Sequence, residues 1–415
     1  MLLPEPGPVR SLAFSVLLRA TGRGLFITVS VIFFLSSVGL SATQVGVGMT
    51  IAGVVSLAAG LPSGRLCDVL GPRAVSVAFA GFGGLAVLGY AFVDSFWGFA
   101  AVAALAKFSD AGDSVARATL VGGIAPPGER VRVRAYIRAV TNVGWSIGGL
   151  AAGAALAVDT RPAYLAMVYG CAACYVGAGA LTLRIPHVGP APRVADGGPT
   201  WIVLRDRPYV VLALLNMVLV MHLSLLTTII PMWIKHIGAP GVMVAAVGLI
   251  NTVTVTLLQV RLSRGTGELA TAARAQRRAG ALLLLACVLF ALAAGRPIWA
   301  MVAALVGGAL LHVFGELLQS AGSWGLSYEL APSHALGQYQ GLYNTGWQAA
   351  EVVAPVLLTT VVIGWGWPGW LLVGALFLLA GLAVPPAARW AARTRSAYGD
   401  AQGDLVVGRP AIAEA

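Results

Sequence analysis

Charged residues are scarce in this sequence. Only 10% of its 415 residues are charged, whereas 58% are hydrophobic and the mean hydropathy is +0.84. A soluble globular domain carries about 25% charged residues. This shortage excludes water as the main solvent, and we predict that nearly all of the chain lies in a membrane.

Lysine is almost absent, and arginine supplies 25 of the 27 basic residues. Together with abundant glycine and alanine, this bias is typical of a high-GC bacterial genome, such as that of an actinobacterium. The net charge of +11 is not gathered in a basic domain or tail. We therefore expect no nucleic-acid partner. The positions of the arginines along the chain explain the positive charge better.

Motifs of several functional classes are also missing. The sequence has no Gly-x-x-x-x-Gly-Lys-Ser/Thr loop, so ATP is not the evident energy source. No Ser/His/Asp set, metal cluster or cofactor motif stands out, and we expect no enzyme activity, metal or cofactor. The four cysteines lie in or beside apolar segments, where we expect packing rather than disulfides or zinc. The N-terminus lacks the features of a cleaved signal peptide, so we expect the first helix to be retained.

Long apolar runs recur instead, separated by short polar breaks. Crossing about 30 Å of hydrocarbon takes roughly 20 apolar residues in a helix. The runs predict an all-α membrane protein with twelve transmembrane helices. The predicted helices are 11–39, 43–63, 73–93, 96–122, 133–157, 162–184, 207–234, 241–261, 279–295, 297–323, 336–362 and 368–388.

The basic residues favour an orientation with both termini in the cytoplasm. Short cytoplasmic loops of membrane proteins carry an excess of Lys and Arg. With both termini inside, the segments assigned to the cytoplasm hold 22 of the 27 basic residues, with Arg10, Arg19 and Arg23 assigned to the first segment. An odd number of spans would scatter this pattern. We therefore predict a multi-pass protein of the bacterial cytoplasmic (inner) membrane.

One long polar break divides the chain into two halves. We predict a six-helix bundle at 1–184, a cytoplasmic loop at 185–206, a second six-helix bundle at 207–390 and a disordered cytoplasmic tail at 391–415. The stretch TNVGWSIGG at 141–149 parallels YNTGWQAAE at 343–351 with an offset of 202. Such a repeat indicates two pseudo-symmetric bundles, as in transporters built from parallel repeats.

Ionisable residues at bilayer depth usually mark transport pathways. Helical spacing brings Asp110 and Asp113 to one face with Lys107 and Arg117, either as a self-satisfied ion network or as carboxylates that exchange a proton. Glu316 either titrates in a central cavity or is a packed glutamate satisfied by Gln319 and neighbouring helices. The candidate proton carriers are Asp110, Asp113, Glu316 and Glu351.

Polar stripes on four helices supply candidates for the lining of a substrate cavity. The repeat would place the stripes of the fifth and eleventh helices on opposite walls. Arg138 either snorkels to the cytoplasmic surface or binds an anionic group. Asn216 and His222 are weaker candidates, because hydrogen bonds between helices would explain them. The cavity candidates are Arg138, Asn142, Trp145, His312, Gln319, Asn344 and Gln348.

The loop after the second predicted helix carries a family signature. Its sequence, GRLCDVLGPR at 64–73, resembles the Gly-x-Leu-x-Asp-Arg-x-Gly-x-Arg/Lys motif of the major facilitator superfamily, although Val69 replaces the usual basic residue. In such a gate loop, Gly64 and Gly71 permit a tight turn and close helix approach. The resemblance implies that Asp68 caps or pairs across the cytoplasmic gate and that Arg73 holds the loop to its neighbours.

The resemblance extends from about residue 10 to residue 390 and implies the fold of that superfamily, with two bundles rocking about a central cavity. The segment ERVRVRAYIRAVTNVGWSIGG also resembles a stretch typical of actinobacterial drug and metabolite exporters of the superfamily. The helix 5 motif of antiporters is only partly present, since the proline after its glycine is missing.

These patterns favour a secondary transporter. Our first expectation is a proton-coupled exporter, an antiporter of a small amphipathic organic compound such as a drug or secondary metabolite. The alternative is a proton-coupled importer of a sugar, amino acid or organic acid. We expect the partners to be a small-molecule substrate, protons or sodium, and membrane lipid, with the chain as a monomer.

Overall fold

The described part of the chain, residues 7–191 and 201–398 of a computed structural model, folds entirely into helices and connecting turns. The helices are α1 (Pro8–Ile32), α2 (Ala42–Leu57), α3 (Gly60–Leu70), α4 (Pro72–Gly89), α5 (Phe96–Ile124), α6 (Arg130–Val158), α7 (Arg161–Thr182), α8 (Ile202–Arg205), α9 (Arg207–Val220), α10 (His222–Ser224), α11 (Ile230–His236), α12 (Val242–Leu262), α13 (Leu269–Leu292), α14 (Ile298–Glu329), α15 (Leu336–Leu358) and α16 (Trp367–Arg393).

Within the described ranges, ten helical segments are long and apolar enough to cross a membrane, and α9 to α11 form one of them. The pair α2 and α3, bent by 42°, makes an eleventh span. The remaining long helix, α5, has 29 residues but carries Lys107, Asp110, Asp113 and Arg117 in its interior. Each of the twelve predicted helices thus corresponds to a helical segment of the structure, and the all-α fold is confirmed.

Several of the predicted boundaries differ from those in the structure. The second predicted helix, 43–63, continues as α3 to Leu70, so most of the predicted loop at 64–73 is helical, and α14 runs to Glu329 instead of 323. We predicted a helix at 279–295, but α13 begins ten residues earlier, at Leu269. Charged Arg274, Arg277 and Arg278 lie in this extension, because charge opposes burial in lipid but does not oppose helix formation. The predicted tail at 391–415 begins with ordered residues: α16 continues to Arg393.

Arg395 holds this C-terminal segment against the second half. It is 9% exposed, and its guanidinium donates to Asp206 Oδ2 at 2.9 Å and to the backbone oxygen of Leu330. Tyr339 also donates to Asp206 Oδ2, at 2.7 Å. Residues 399–415 of the predicted tail and 192–200 of the predicted central loop lie outside the described residues.

Each half is held together by close helix contacts at glycine. In the first half, a Cβ on Gly148 of α6 would lie 2.1 Å from the backbone oxygen of Thr21 in α1. In the second half, a Cβ on Gly280 of α13 would lie 2.5 Å from the backbone oxygen of Phe377 in α16. Lipid tails are as apolar as the side chains, so the helices associate through such van der Waals contact and hydrogen bonds.

We call the end of the bundle that carries Arg10, Arg65, Arg130, Arg184 and Arg264 the basic end, and the other the far end. At the basic end, α1 and α6 begin and α3, α7, α12 and α16 finish. Apolar residues from both halves share one buried cluster there, which includes Leu120 of α5 and Tyr328 of α14. The two halves are therefore packed together at the basic end.

Candidate functional site

Four helices of the first half, α1, α4, α5 and α7, bring a buried ion cluster together. Arg19 of α1 donates to Asp110 Oδ1 at 2.9 Å, and its Nε lies 3.1 Å from Asp113 Oδ2. Arg117 pairs with Asp113 from the next turn of α5. Hydroxyls complete the cluster, since Ser76 donates to Asp113 at 2.6 Å and Tyr175 to Asp110 at 2.8 Å. Both candidate aspartates are thus held by a cation from another helix.

The sequence analysis assigned Arg19 and Arg23 to the cytoplasmic segment, and that assignment is wrong. They lie 11 and 15 residues into α1, roughly 17 and 23 Å along its axis. Arg19 is 7% exposed, and its ring partner Tyr175 lies 4.2 Å from the guanidinium carbon. The ion pairs explain the difference, because buried carboxylates offset the cost of placing arginine at this depth.

Another ion pair, outside this cluster, joins the two halves. Arg138 of α6 donates to Glu316 Oε1 of α14 and to Ser320 Oγ, the latter at 2.9 Å. Asn251 of α12 donates to Glu316 Oε2 at 2.6 Å. Arg138 therefore reaches across the interface to an acid instead of extending to the membrane surface. Glu316 is satisfied by Arg138 and Asn251, not by Gln319.

Polar side chains beside Glu316 form a buried cluster within the second half. His222 Nδ1 lies 3.3 Å from His312 Nε2, which also lies 3.0 Å from the backbone oxygen of His222. Gln319 donates to Asn216 Oδ1 at 2.9 Å. These contacts account for Asn216 and His222 as hydrogen-bonding residues between helices.

Ligand atoms of His222, His312 and Glu316 lie within 4.8 Å of one another, a spacing compatible with a metal ion. Both oxygens of Glu316 already accept hydrogen bonds, and the Arg138 cation beside them opposes a second positive charge. The histidine nitrogens that face each other are satisfied within the cluster. The donor set therefore fits a hydrogen-bonded cluster better than a metal centre.

The stripe on α15 faces the first half at mid-depth. Asn344 donates to Ser114 Oγ of α5 at 3.0 Å and accepts a hydrogen bond from Gln348. Glu351 is exposed one turn farther toward the far end. On α6, Asn142 is half-buried, and Trp145 is 43% exposed with the Arg23 guanidinium 5.6 Å from its ring. Because α6 belongs to the first half and α15 to the second, the two stripes lie on different halves of the bundle.

The gate-loop residues lie at the basic end, where α3 contacts α15. Asp68 accepts hydrogen bonds from the backbone N–H groups of Gly337 and Gln338, at 2.6 and 3.0 Å. These groups open α15, so the carboxylate caps a helix of the other half. A Cβ on Gly64 would lie 2.2 Å from the backbone oxygen of Gly337. No larger residue fits there without separating the halves.

The rest of the loop has the local geometry that its residues favour. Gly71 has a φ of +87°, a conformation that side-chain-bearing residues rarely adopt. Arg73 donates to the backbone oxygen of Leu183, which follows α7. The loop is thus fixed within the first half by Arg73 and tied to the second half by Asp68.

The described hydrogen bonds between the halves lie between mid-depth and the basic end. They join Arg138 with Glu316, Ser114 with Asn344, and Asp68 with the start of α15. Tyr328 adds another at 2.7 Å, to the backbone oxygen of Ala118. Each of these residues lies in the part of its helix nearer the basic end. The arrangement holds the basic end closed and leaves charged and amide side chains at mid-depth between the halves.

Sequence reasoning missed Arg19, Arg23 and Asn251 as parts of these clusters. A helical wheel shows only which residues of one helix share a face, whereas each of these residues contacts an acid or an aromatic ring on another helix. The depth of Arg19 and Arg23 within an apolar run was a signal that could have identified them.

Comparison with known proteins agrees with this architecture. The family model described as "Major Facilitator Superfamily" matches residues 12–355. No curated protein matches the sequence. The human organic anion transporter MFSD10 (TETRAN) has a similar structure, with a TM-score of 0.66, 16% identity, and coverage of 92% of this chain and 99% of that chain.

A bacterial homologue of the iron transporter ferroportin, solved in an outward-facing state, is similar at a TM-score of 0.74 and 15% identity, over 93% of this chain and 99% of that chain. The same homologue with soaked iron gives a TM-score of 0.68, 16% identity, and coverage of 92% and 99%. These structures share the fold. Since the family model spans most of the sequence, the chain belongs to the major facilitator superfamily and is a multi-pass membrane transporter.

Proposed function

We propose that the protein is a proton-coupled antiporter that exports a small amphipathic organic compound across a bacterial cytoplasmic membrane. The observation that carries the proposal is the ion pair between Arg138 and Glu316, because it joins the two halves at mid-depth and depends on the charge of one carboxylate. A proton on Glu316 removes that charge. Proton binding thereby becomes a way to loosen the contact between the halves.

The basic end is cytoplasmic in this proposal, which follows from the excess of arginine in its loops. The described conformation, closed at that end, corresponds to an outward-open transporter. A proton from outside neutralises Glu316 and weakens its attraction to Arg138. The halves can then part at the cytoplasmic end, where the proton leaves and the substrate enters.

Return to the closed cytoplasmic end requires the Glu316 carboxylate to pair again with Arg138. Loading of substrate and loss of the proton therefore accompany the same step, which is the order an antiporter needs. Asp110 and Asp113 remain candidates for a second proton site, but each is held by Arg19. The resemblance of residues 129–149 to a segment of actinobacterial exporters supports export of a drug or metabolite.

The test begins with a resistance screen in a host with and without the gene, which identifies a transported compound. Inverted membrane vesicles with an acidic interior are then supplied with that compound. We expect the wild type to accumulate it as protons leave, and Glu316→Gln to lose this gradient-driven accumulation. Asp113→Asn tests the second acid in the same assay.

Glu129→Gln is the matched control, because Glu129 forms a partly exposed pair with Arg132 at 2.9 Å. It should transport like the wild type. Accumulation that continues at every pH in both Glu316→Gln and Asp113→Asn would contradict proton coupling through these acids. Movement only in the opposite direction would indicate an importer, and dependence on a sodium gradient would replace the proton with sodium.

A further inference from the structure

One face of α5 points toward the second half. Ser114 identifies this face, because its hydroxyl contacts Asn344 across the interface. Asp110 and Lys107 precede Ser114 by four and seven residues, a spacing that places all three on the same side of the helix. Lys107 therefore lies on the gap-facing side, about two turns farther toward the far end.

Arg23 approaches the same region from α1. Its guanidinium lies 5.6 Å from the ring of Trp145, and its charge interacts with those of Asp110 and Glu351. Because Glu351 belongs to α15, this interaction crosses between the halves. Trp145 is 43% exposed, so part of its ring is not covered by the protein. An aromatic surface and a cation thus lie side by side.

The charges around this region do not balance. Four cations, Arg19, Arg23, Lys107 and Arg117, accompany three carboxylates, Asp110, Asp113 and Glu351. Within the described ranges, neither Arg23 nor Lys107 forms an ion pair. The neighbouring pair of Arg138 and Glu316 balances itself.

Arg19 carries an unsatisfied donor within the neighbouring aspartate cluster. Its Nη1 has no hydrogen-bond partner among the described residues. Water cannot easily supply one, because this atom is buried and Arg19 as a whole is only 7% exposed. A buried donor without a partner carries a free-energy cost. A surplus cation at membrane depth carries one as well, and an anion in the gap would offset it.

We propose that the gap beside Arg23, Lys107 and Trp145 binds an aromatic monoanion, such as a carboxylate or sulfonate. The anionic group is recognised by the Arg23 and Lys107 cations, and the ring lies against Trp145. The number of negative charges follows from the surplus of one cation. This substrate class rests on the proposed export function for its role in transport, but its binding needs neither a gradient nor flux.

The test measures equilibrium binding to the full chain in lipid nanodiscs by isothermal titration calorimetry. The probes are 2-naphthalenesulfonate and the matched cation 2-naphthylmethylammonium, with empty nanodiscs subtracted. We expect the wild type to prefer the anion by at least about tenfold, since an unpaired cation at low dielectric attracts an anion and repels a cation. Arg23→Gln and Lys107→Gln should each remove most of this preference.

Lys107→Glu separates a loss of charge recognition from a loss of folding, because it should reverse the preference toward the cation. Arg277→Gln is the control, since Arg277 is exposed on α13 at the basic end. Equal binding of the two probes by the wild type would overturn the proposal, and so would an anion preference that survives both glutamine variants. If the preference is present while vesicles show no proton-driven flux, the proposed export mechanism fails and the anion site stands.

Discussion

At the scale of single residues, buried charge is the dominant feature of this molecule. Arg19 lies at bilayer depth because two aspartates and the ring of Tyr175 surround it. Replacing a buried ion pair as a whole can be neutral, but removing one partner leaves an uncompensated charge and costs about 3 to 5 kcal/mol. The cluster therefore predicts which single substitutions destabilise the protein.

We expect Arg19→Gln to lower the free energy of unfolding by about 3 kcal/mol, because among the described residues Asp110 then keeps only the Tyr175 hydroxyl as its direct hydrogen-bond partner. Unfolding of the detergent-solubilised protein by SDS measures the change. Adding Asp110→Asn to Arg19→Gln should recover part of the loss, since it removes the unpaired charge. Arg132→Gln breaks a surface pair and should cost at most about 1 kcal/mol. Equal losses in Arg19→Gln and Arg132→Gln would contradict this account.

At the scale of helices, the contact of α3 with α15 closes the basic end. Gly64 and Gly337 meet so closely that a Cβ on either would lie near the backbone oxygen of the other, at 2.2 and 2.1 Å. The bend of 42° between α2 and α3 lies just before this contact. Close packing and the Asp68 cap thus act on the same helix pair.

We expect Gly64→Ala to separate α3 from α15 and to shift the protein away from the closed basic end. Val69 and Arg264 are exposed positions on opposite halves, and spin labels there report the separation as a longer distance in double electron–electron resonance measurements. Gly46→Ala is the matched control in α2, because a Cβ there meets no atom within 4 Å. An unchanged Val69 to Arg264 distance in Gly64→Ala would show that α3 and α15 accommodate the methyl group without separation of the halves.

At the scale of the whole molecule, the halves are joined at one end and at mid-depth. Asp68 accepts two hydrogen bonds from backbone N–H groups at the start of α15. Asn344 donates one to the hydroxyl of Ser114, and Glu316 forms an ion pair with Arg138. Asp68 and Glu316 are the two acids in these contacts, and Glu316 is the one that pairs with a cation of the other half. Protonation of Glu316 therefore weakens the closed state through loss of this pair.

We expect acidification of the labelled protein to lengthen the Val69 to Arg264 distance at the basic end. A second pair of labels, at Val158 and Val242 near the far end, should move closer at the same time. The sign follows from protonation, which removes the negative charge that attracts Arg138. Glu316→Gln should show the low-pH distances at neutral pH, and Glu129→Gln should not. Distances in Glu316→Gln that match the wild type at neutral pH would exclude this role for the ion pair.

Hydropathy predicted the helices, because in lipid each backbone N–H and C=O must be satisfied within its own helix and the apolar run sets the length. The gate-loop motif was likewise visible in the sequence, because its glycine, aspartate and arginine positions resemble those of the superfamily motif; the structure added the positive φ of Gly71 and the α15 N-terminus that Asp68 caps. Asp113 and Glu316 were identified as buried acids for the same reason of membrane depth.

The sequence by itself determined the membrane environment, the helices and the buried acids Asp113 and Glu316, because these depend on local composition and spacing. Only the tertiary structure decided the partners. Arg19 meets Asp110 across 91 residues of chain, and Arg138 meets Glu316 across 178. Helical periodicity relates residues three or four apart on one helix, whereas these pairs depend on how separate helices pack together.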